Sequence, residues 1–173
     1  MRVDDATVTV RITEVEAYHG LGTGPTPDPG SHARMGKTDR NATMWGEPGH
    51  LYVYLSHGIR SCVNVACSPD GVASGVLLRA GEVIEGVDAA ALRRTTSRVL
   101  VDLARGPGRL GKAVGLVSSV HNGIDALAGG APKAGALARL WVRDEPLSDI
   151  ASGPRVGVSG RAGTDAFPWR FWI

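Results

Sequence analysis

Residues 8–18 alternate. Val8, Val10 and Ile12 fall on one parity and Thr9, Arg11 and Thr13 on the other, the period of two that predicts a half-buried β-strand. The parity crosses near Glu14-Val15-Glu16, where a hydrophobic residue stands between two carboxylates that share a face. Residues 51–55 (LYVYL) form a second strand, with Tyr52 and Tyr54 directed one way and Leu51, Val53 and Leu55 the other. Ser56-His57-Gly58 reads as a turn, and residues 59–66 return as the partner strand. Ser68-Pro69-Asp70-Gly71 is a further turn signal, after which residues 72–78 give a third strand with Arg79 at its end. The result is an antiparallel meander with a protruding hairpin.

Downstream, residues 88–94, 99–104 and 109–116 read as helices, the second stopped by Gly106-Pro107-Gly108. Residues 140–142, 155–158 and 169–173 read as short strands. Residues 19–45 carry little apolar periodicity and hold His32, Arg34, Lys37, Arg40 and Asn41. A loop of that length in a small domain is commonly functional, with disorder the alternative for its first third. The elements predict a single α+β domain: a mixed, mostly antiparallel sheet with a few helices.

Composition narrows the picture. A chain of 173 residues that is 43% hydrophobic builds one domain with a proper core. Its 24 glycines and 10 prolines favour turns and short strands over a helical bundle. A net charge of +2 excludes a polycationic tail, but a weakly basic chain can still present a basic face to nucleic acid. Cys62 and Cys67 lack zinc-like spacing and read as buried, reduced thiols. The N-terminal stretch is acidic and strand-like rather than leader-like, and no apolar run reaches spanning length. A soluble cytoplasmic protein is expected, without a membrane partner.

Several residues could carry chemistry. Glu14 and Glu16 lie two apart on a strand, so their Cβ atoms stand about 6–7 Å apart on one face. Paired carboxylates serve glycoside hydrolysis, where a nearby anion stabilises an oxocarbenium-like sugar; spacing alone favours two solvated surface glutamates. Tyr18 shares that face. Tyrosines in sheets are usually packing residues, but aromatic faces also stack on nucleobases, for about 1–3 kcal/mol per base, and a cationic base adds cation–π attraction. His57-Gly58 at a hairpin tip is an exposed turn or a minor-groove wedge. Arg79 is a snorkelling arginine or a phosphate ligand, and Gly106-Pro107-Gly108-Arg109 is a weak signal for a phosphate at a helix start.

Taken in order, Glu14-Val15-Glu16-Ala17-Tyr18, His32, Asp39-Arg40-Asn41 with Met44, Gly49-His50-Leu51-Tyr52-Val53-Tyr54, Asn64, Val76-Leu77-Leu78-Arg79-Ala80, Gly106-Pro107, Pro154-Arg155-Val156-Gly157 and Pro168-Trp169-Arg170-Phe171 resemble the alkyladenine (3-methyladenine) DNA glycosylase family of the mammalian type. The match runs from about Val10 to Phe171, and its motifs are specific as a set although each is weak alone. The resemblance implies a monofunctional glycosylase that flips alkylated or deaminated purines out of duplex DNA and hydrolyses the N-glycosidic bond, which initiates base excision repair.

It also implies roles. Glu16 matches the general base, and Arg79 a residue that holds the water or the flipped nucleotide. Tyr18, His32 and Tyr54 match the pocket walls. Asn64 matches a residue that screens out a guanine exocyclic amine, and His57 takes the intercalating tip, where the family usually has tyrosine. Neither metal nor cofactor is expected, and double-stranded DNA is the expected partner of a monomer. Richness in alanine and glycine suggests a bacterial source, and the family activity then suggests a nucleoid association. Against that family the chain looks short at both termini, so a truncated, inactive DNA-binding remnant is the alternative expectation. A hydrolase of some other N-glycoside is a further one.

Overall fold

The computed structural model describes residues 1–3, 8–127, 137–142 and 145–173. The strands are β1 (Arg2–Val3), β2 (Val8–His19), β3 (Leu51–Ser56), β4 (Arg60–Val65), β5 (Ser74–Glu85), β6 (Ala138–Arg139), β7 (Ala151–Gly153) and β8 (Arg170–Trp172). The helices are α1 (Val87–Arg93), α2 (Pro107–Val114) and α3 (Ser118–His121). One sheet runs β3-β4-β5-β2-β1-β6, with β8 alongside the second half of β2 and β7 outside it. Among the described residues each pairing is antiparallel. The α+β class, the meander and the projecting hairpin expected from the sequence are all present.

The parity change in β2 has a structural cause. Ile12 pairs with Gly81 but Glu14 pairs with Ala80, so Thr13 is an extra residue on β2; Val15 then pairs with Leu78, so Arg79 is an extra residue on β5. A bulge of this kind re-aims the side chains beyond it. Val8, Val10, Ile12 and Val15 therefore all reach the main core, while Glu16 and Tyr18 turn to the opposite side and line a cleft. The second irregularity aims Arg79 at the same place.

The core joins these sheet residues to Leu103, Leu110, Ala113, Val114 and Ile124. Helix α2 begins with Pro107 at its first turn and ends at Gly115, whose φ of 83° makes it a left-handed cap. Its Gly111 lies against β4: a Cβ there would come within 2.0 Å of the Ser61 carbonyl oxygen. Gly111→Ala should accordingly destabilise by about 1–3 kcal/mol through overpacking, despite alanine's roughly 1 kcal/mol advantage in helix propensity. Urea denaturation would measure it, and a variant more stable than wild type would contradict the packing.

Several expectations are corrected. Strand β5 does not end at Arg79 but continues to Glu85, because Ala80 and residues beyond it keep pairing with β2. Residues 99–104 form only a 3-10 turn at Leu100–Asp102; Arg105 bridges to Ala80 and the Ala104 carbonyl accepts from Gly81, so the backbone is committed to the sheet. The third helix starts two residues earlier than expected, and α3 was not anticipated. Residues 140–142 lie just beyond β6, of two residues, rather than in a strand. Residues 155–158 are a loop, because Val156 bonds to a side chain instead of a neighbouring strand; the nearby strand is β7. Cys62 is buried as expected, but Cys67 is exposed. No helix among the described residues is long and apolar enough to cross a membrane.

Candidate active site

All seven residues singled out in the sequence — Glu16, Tyr18, His32, Tyr54, His57, Asn64 and Arg79 — line one cleft of about 720 Å³. Strand β2 supplies Glu16 and Tyr18, β3 supplies Tyr54, β4 supplies Asn64 and β5 supplies Arg79. The loop between β2 and β3 adds His32, and the hairpin turn adds His57.

Glu16 is fully buried, so the surface-glutamate reading of the spacing is overturned. Its Oε1 accepts from the Val156 backbone N–H at 2.7 Å and lies 3.2 Å from Arg79 Nη1. Its Oε2 accepts from the Tyr18 hydroxyl at 2.8 Å. A buried carboxylate is tolerated only with such partners. Glu14 shares the face, as expected, but has another part: its Oε1 accepts from Arg79 Nε at 3.0 Å and lies 3.5 Å from Arg170 Nε. Arg79 thus spans the two carboxylates, and its Nη1 also reaches the Val156 carbonyl at 3.4 Å.

The walls are aromatic. Tyr52 and Tyr54 stack at 5.4 Å between centroids. The His32 ring stands edge-on to Tyr54 at 4.6 Å, and its Nδ1 is 3.1 Å from the Tyr52 hydroxyl. Burial against the tyrosines, then the Arg40 and Arg34 charges, push the His32 pKa down from its usual value. Burial also pushes the Tyr18 phenol far up, followed by the Glu16 charge and the hydrogen bond to it; Tyr54 is raised mainly by burial and the adjacent Cys62. Both phenols therefore keep their protons at neutral pH and can donate. Buried Asn64 donates through Nδ2 to the Tyr52 carbonyl at 3.3 Å.

At the mouth, Ser56 pairs with Arg60 and closes the hairpin. His57 takes a left-handed φ of 51°, a conformation that costs a non-glycine residue energy and occurs disproportionately at functional sites. Two residues on, Ile59 is 80% exposed.

Sequence reasoning gave Arg155 no role, although it stood in the Pro154-Arg155-Val156-Gly157 motif. Its guanidinium lies 4.4 Å from the Tyr18 ring centroid and pairs with Asp28 through Nη1 at 2.8 Å and Nη2 at 2.7 Å. Both side chains are fully buried. The Val156 amide, Arg40 and Cys62 also line or border the cleft without having been anticipated. Among the described residues no group of three His, Cys, Asp or Glu side chains is placed to hold a metal.

A buried, triply contacted carboxylate thus lies beneath aromatic walls, beside the β3–β4 hairpin. The model of the methylpurine-DNA glycosylase family matches residues 1–173, and the chain belongs to that family. Relatives include proteins of Nocardia farcinica, 51% identical over 96% of this chain and 74% of their own, Streptomyces avermitilis, 46% identical over 98% and 74%, and Mycobacterium leprae, 45% identical over 99% and 78%. Each carries the name "Putative 3-methyladenine DNA glycosylase".

Proposed function

We propose that this glycosylase is monofunctional and releases alkylated or deaminated purines (3-methyladenine, 7-methylguanine, hypoxanthine, ethenoadenine) from duplex DNA after flipping the nucleotide into the cleft. The observation that carries this reading is the fully buried Glu16 carboxylate under the Tyr18, His32 and Tyr54 walls. The name of the relatives supports 3-methyladenine among these bases.

Glu16 takes a proton from a water, whose oxygen attacks C1′; the C1′–N bond breaks and the base leaves with its electron pair. The carboxylate also steadies the oxocarbenium-like sugar. Arg79 as donor and the Val156 carbonyl as acceptor converge beside Glu16 and can hold that water. Alkylation at N3 or N7 makes the purine cationic, hence a better leaving group and a better partner for the tyrosine faces. Among the described residues lining the cleft none is a lysine, which supports hydrolysis without a Schiff base. Release of free base from methylated and hypoxanthine-containing duplexes, with the abasic strand intact until alkali treatment, tests the reading; strand cleavage by the enzyme itself would contradict it. We place the enzyme in the bacterial cytoplasm at the nucleoid, acting as a monomer.

His57 is the proposed wedge. His57→Gly relieves the left-handed strain but frees the unfolded chain, so stability should change by no more than about 1 kcal/mol. Release from duplex should nevertheless fall, while release from the same base in single-stranded DNA should not. Equal losses on both substrates would remove the wedge role.

His32 supplies a pH dependence. Its pKa in the folded protein lies below the ordinary value of about 6.5, so the ring is neutral at pH 7 and gains its charge only as pH falls through that lower value. A charged His32 repels a cationic base. Binding of duplex containing 7-methylguanine should therefore weaken on acidification, and His32→Gln should flatten that part of the profile. An unchanged acid limb in the variant would assign it to another group.

A further inference from the structure

Tyr18 has a charge behind it. The Arg155 guanidinium lies over one face of the ring at 4.4 Å, does not itself line the cleft, and is fully buried. Three carbonyl contacts fix it: Nη1 donates to Ala17 at 3.1 Å, and Nε and Nη2 donate to Ala162 at 3.2 and 3.1 Å. Asp28 bonds only Nη1 and Nη2, at the edge of the fork, and so leaves the flat face of the cation to Tyr18. The Trp169 and Phe167 rings, 5.2 and 5.6 Å away, pack around the same cation. That cation opposes the upward push of burial on the Tyr18 phenol.

We infer that Arg155 is a specificity-determining residue that acts through Tyr18, biasing the cleft toward purines that are neutral before excision. The inference rests on the reading that Tyr18 stacks on the flipped base. A cation held behind an aromatic ring draws on the electron density that the opposite face offers a ligand, so it weakens attraction to a cationic base stacked there. Bond breaking adds no counter-preference: a neutral purine moves toward an anion and a 7-methylpurine toward neutrality as each leaves, and a nearby cation favours the two departures alike. In this low-dielectric setting the effect on stacking is not screened as it would be in water. Selectivity is then set by a residue that never touches the substrate.

The readout is the ratio of base release from hypoxanthine-containing duplex to release from 7-methylguanine-containing duplex, in single turnovers with enzyme below saturation so that binding of the base contributes to the rate, on variants checked by thermal melting. Replacing both members of the pair together (Arg155→Met with Asp28→Leu) removes the cation without stranding its partner in the core. The ratio should drop by about threefold or more, the scale of one modest cation–π contact. Asp28→Asn removes the counter-charge alone and should move the ratio the other way. Arg155→Lys keeps the charge and should leave the ratio within about twofold, whatever it does to stability. A structural lesion lowers both activities together, so an unchanged ratio in the folded double variant overturns the inference. If the double variant does not fold, the sign of the Asp28→Asn shift decides. Failure of wild type to release either base would instead sink the glycosylase reading beneath it.

Discussion

Glu16→Gln should lower single-turnover base release by about a hundredfold to ten-thousandfold, the usual share of a positioned general base, and leave binding to damaged duplex nearly intact. The substitution is close to isosteric. Glutamine Oε1 can still accept from the Val156 amide while its Nε2 donates to the Tyr18 hydroxyl oxygen, so the loop carrying Val156 and the ring of Tyr18 keep their anchors. What disappears is the ability to take a proton and the negative charge beside the sugar. Arg79 would lose one of its two carboxylates but retain Glu14 at 3.0 Å, so it stays in place. A measurable melting change is expected and an unfolded protein is not. Residual release within tenfold of wild type in a folded variant would move the base to another group, with Glu14 the next to test.

Arg155→Met should be the most destabilising single change in the site region, by about 3–5 kcal/mol, because it leaves the Asp28 carboxylate buried without its partner. Asp28 is fully buried with Arg155 and reaches only weaker donors besides it: the His19 backbone N–H at 3.4 Å and the Gly30 N–H at 3.0 Å. Two carbonyls, of Ala17 and Ala162, lose their donors as well. This pair ties the loop between β2 and β3 to the segment before β8, which contribute His32 and Val156 to the cleft lining. The Arg155→Met, Asp28→Leu double variant should recover most of the loss. Urea denaturation of the three proteins gives the coupling directly; equal stability of wild type and Arg155→Met would show that the pair holds nothing together.

The sequence made the alternation of β2, the β3–β4 hairpin and the third strand of the meander legible, because each follows from a period of two punctuated by turn residues. It also exposed the parity change at Glu14, since Val15 between two carboxylates has no other economical reading. The bulges that cause it left no separate trace. Neither Thr13 nor Arg79 is a glycine, and only the pairing with β5 shows that each is the extra residue. Spacing misjudged the burial of Glu16 for a related reason: the donors that make it tolerable, the Val156 amide and Arg79, lie 140 and 63 positions away. Arg155 was present in a motif but had no assignable task, because its partner Asp28 sits in a stretch without periodicity. The failed strand at residues 155–158 has the same origin: the segment reads locally as a short strand, whereas the Val156 amide is spent on Glu16. Helix α2 was displaced by two residues at each end, because the left-handed Gly115 cap stops it before Leu116, and the helix expected at residues 99–104 shrank to a 3-10 turn where the chain is captured by the sheet at residues 104–105.

The measurement that bears most directly on this account is base release by the wild-type protein from a duplex carrying a single 3-methyladenine, with the free base identified by mass and the strand examined before and after alkali. The expected result is free 3-methyladenine, an abasic strand that breaks only in alkali, and loss of both with Glu16→Gln. A folded wild-type protein that binds this duplex yet releases no base would contradict it and leave a DNA-binding protein without the hydrolytic step.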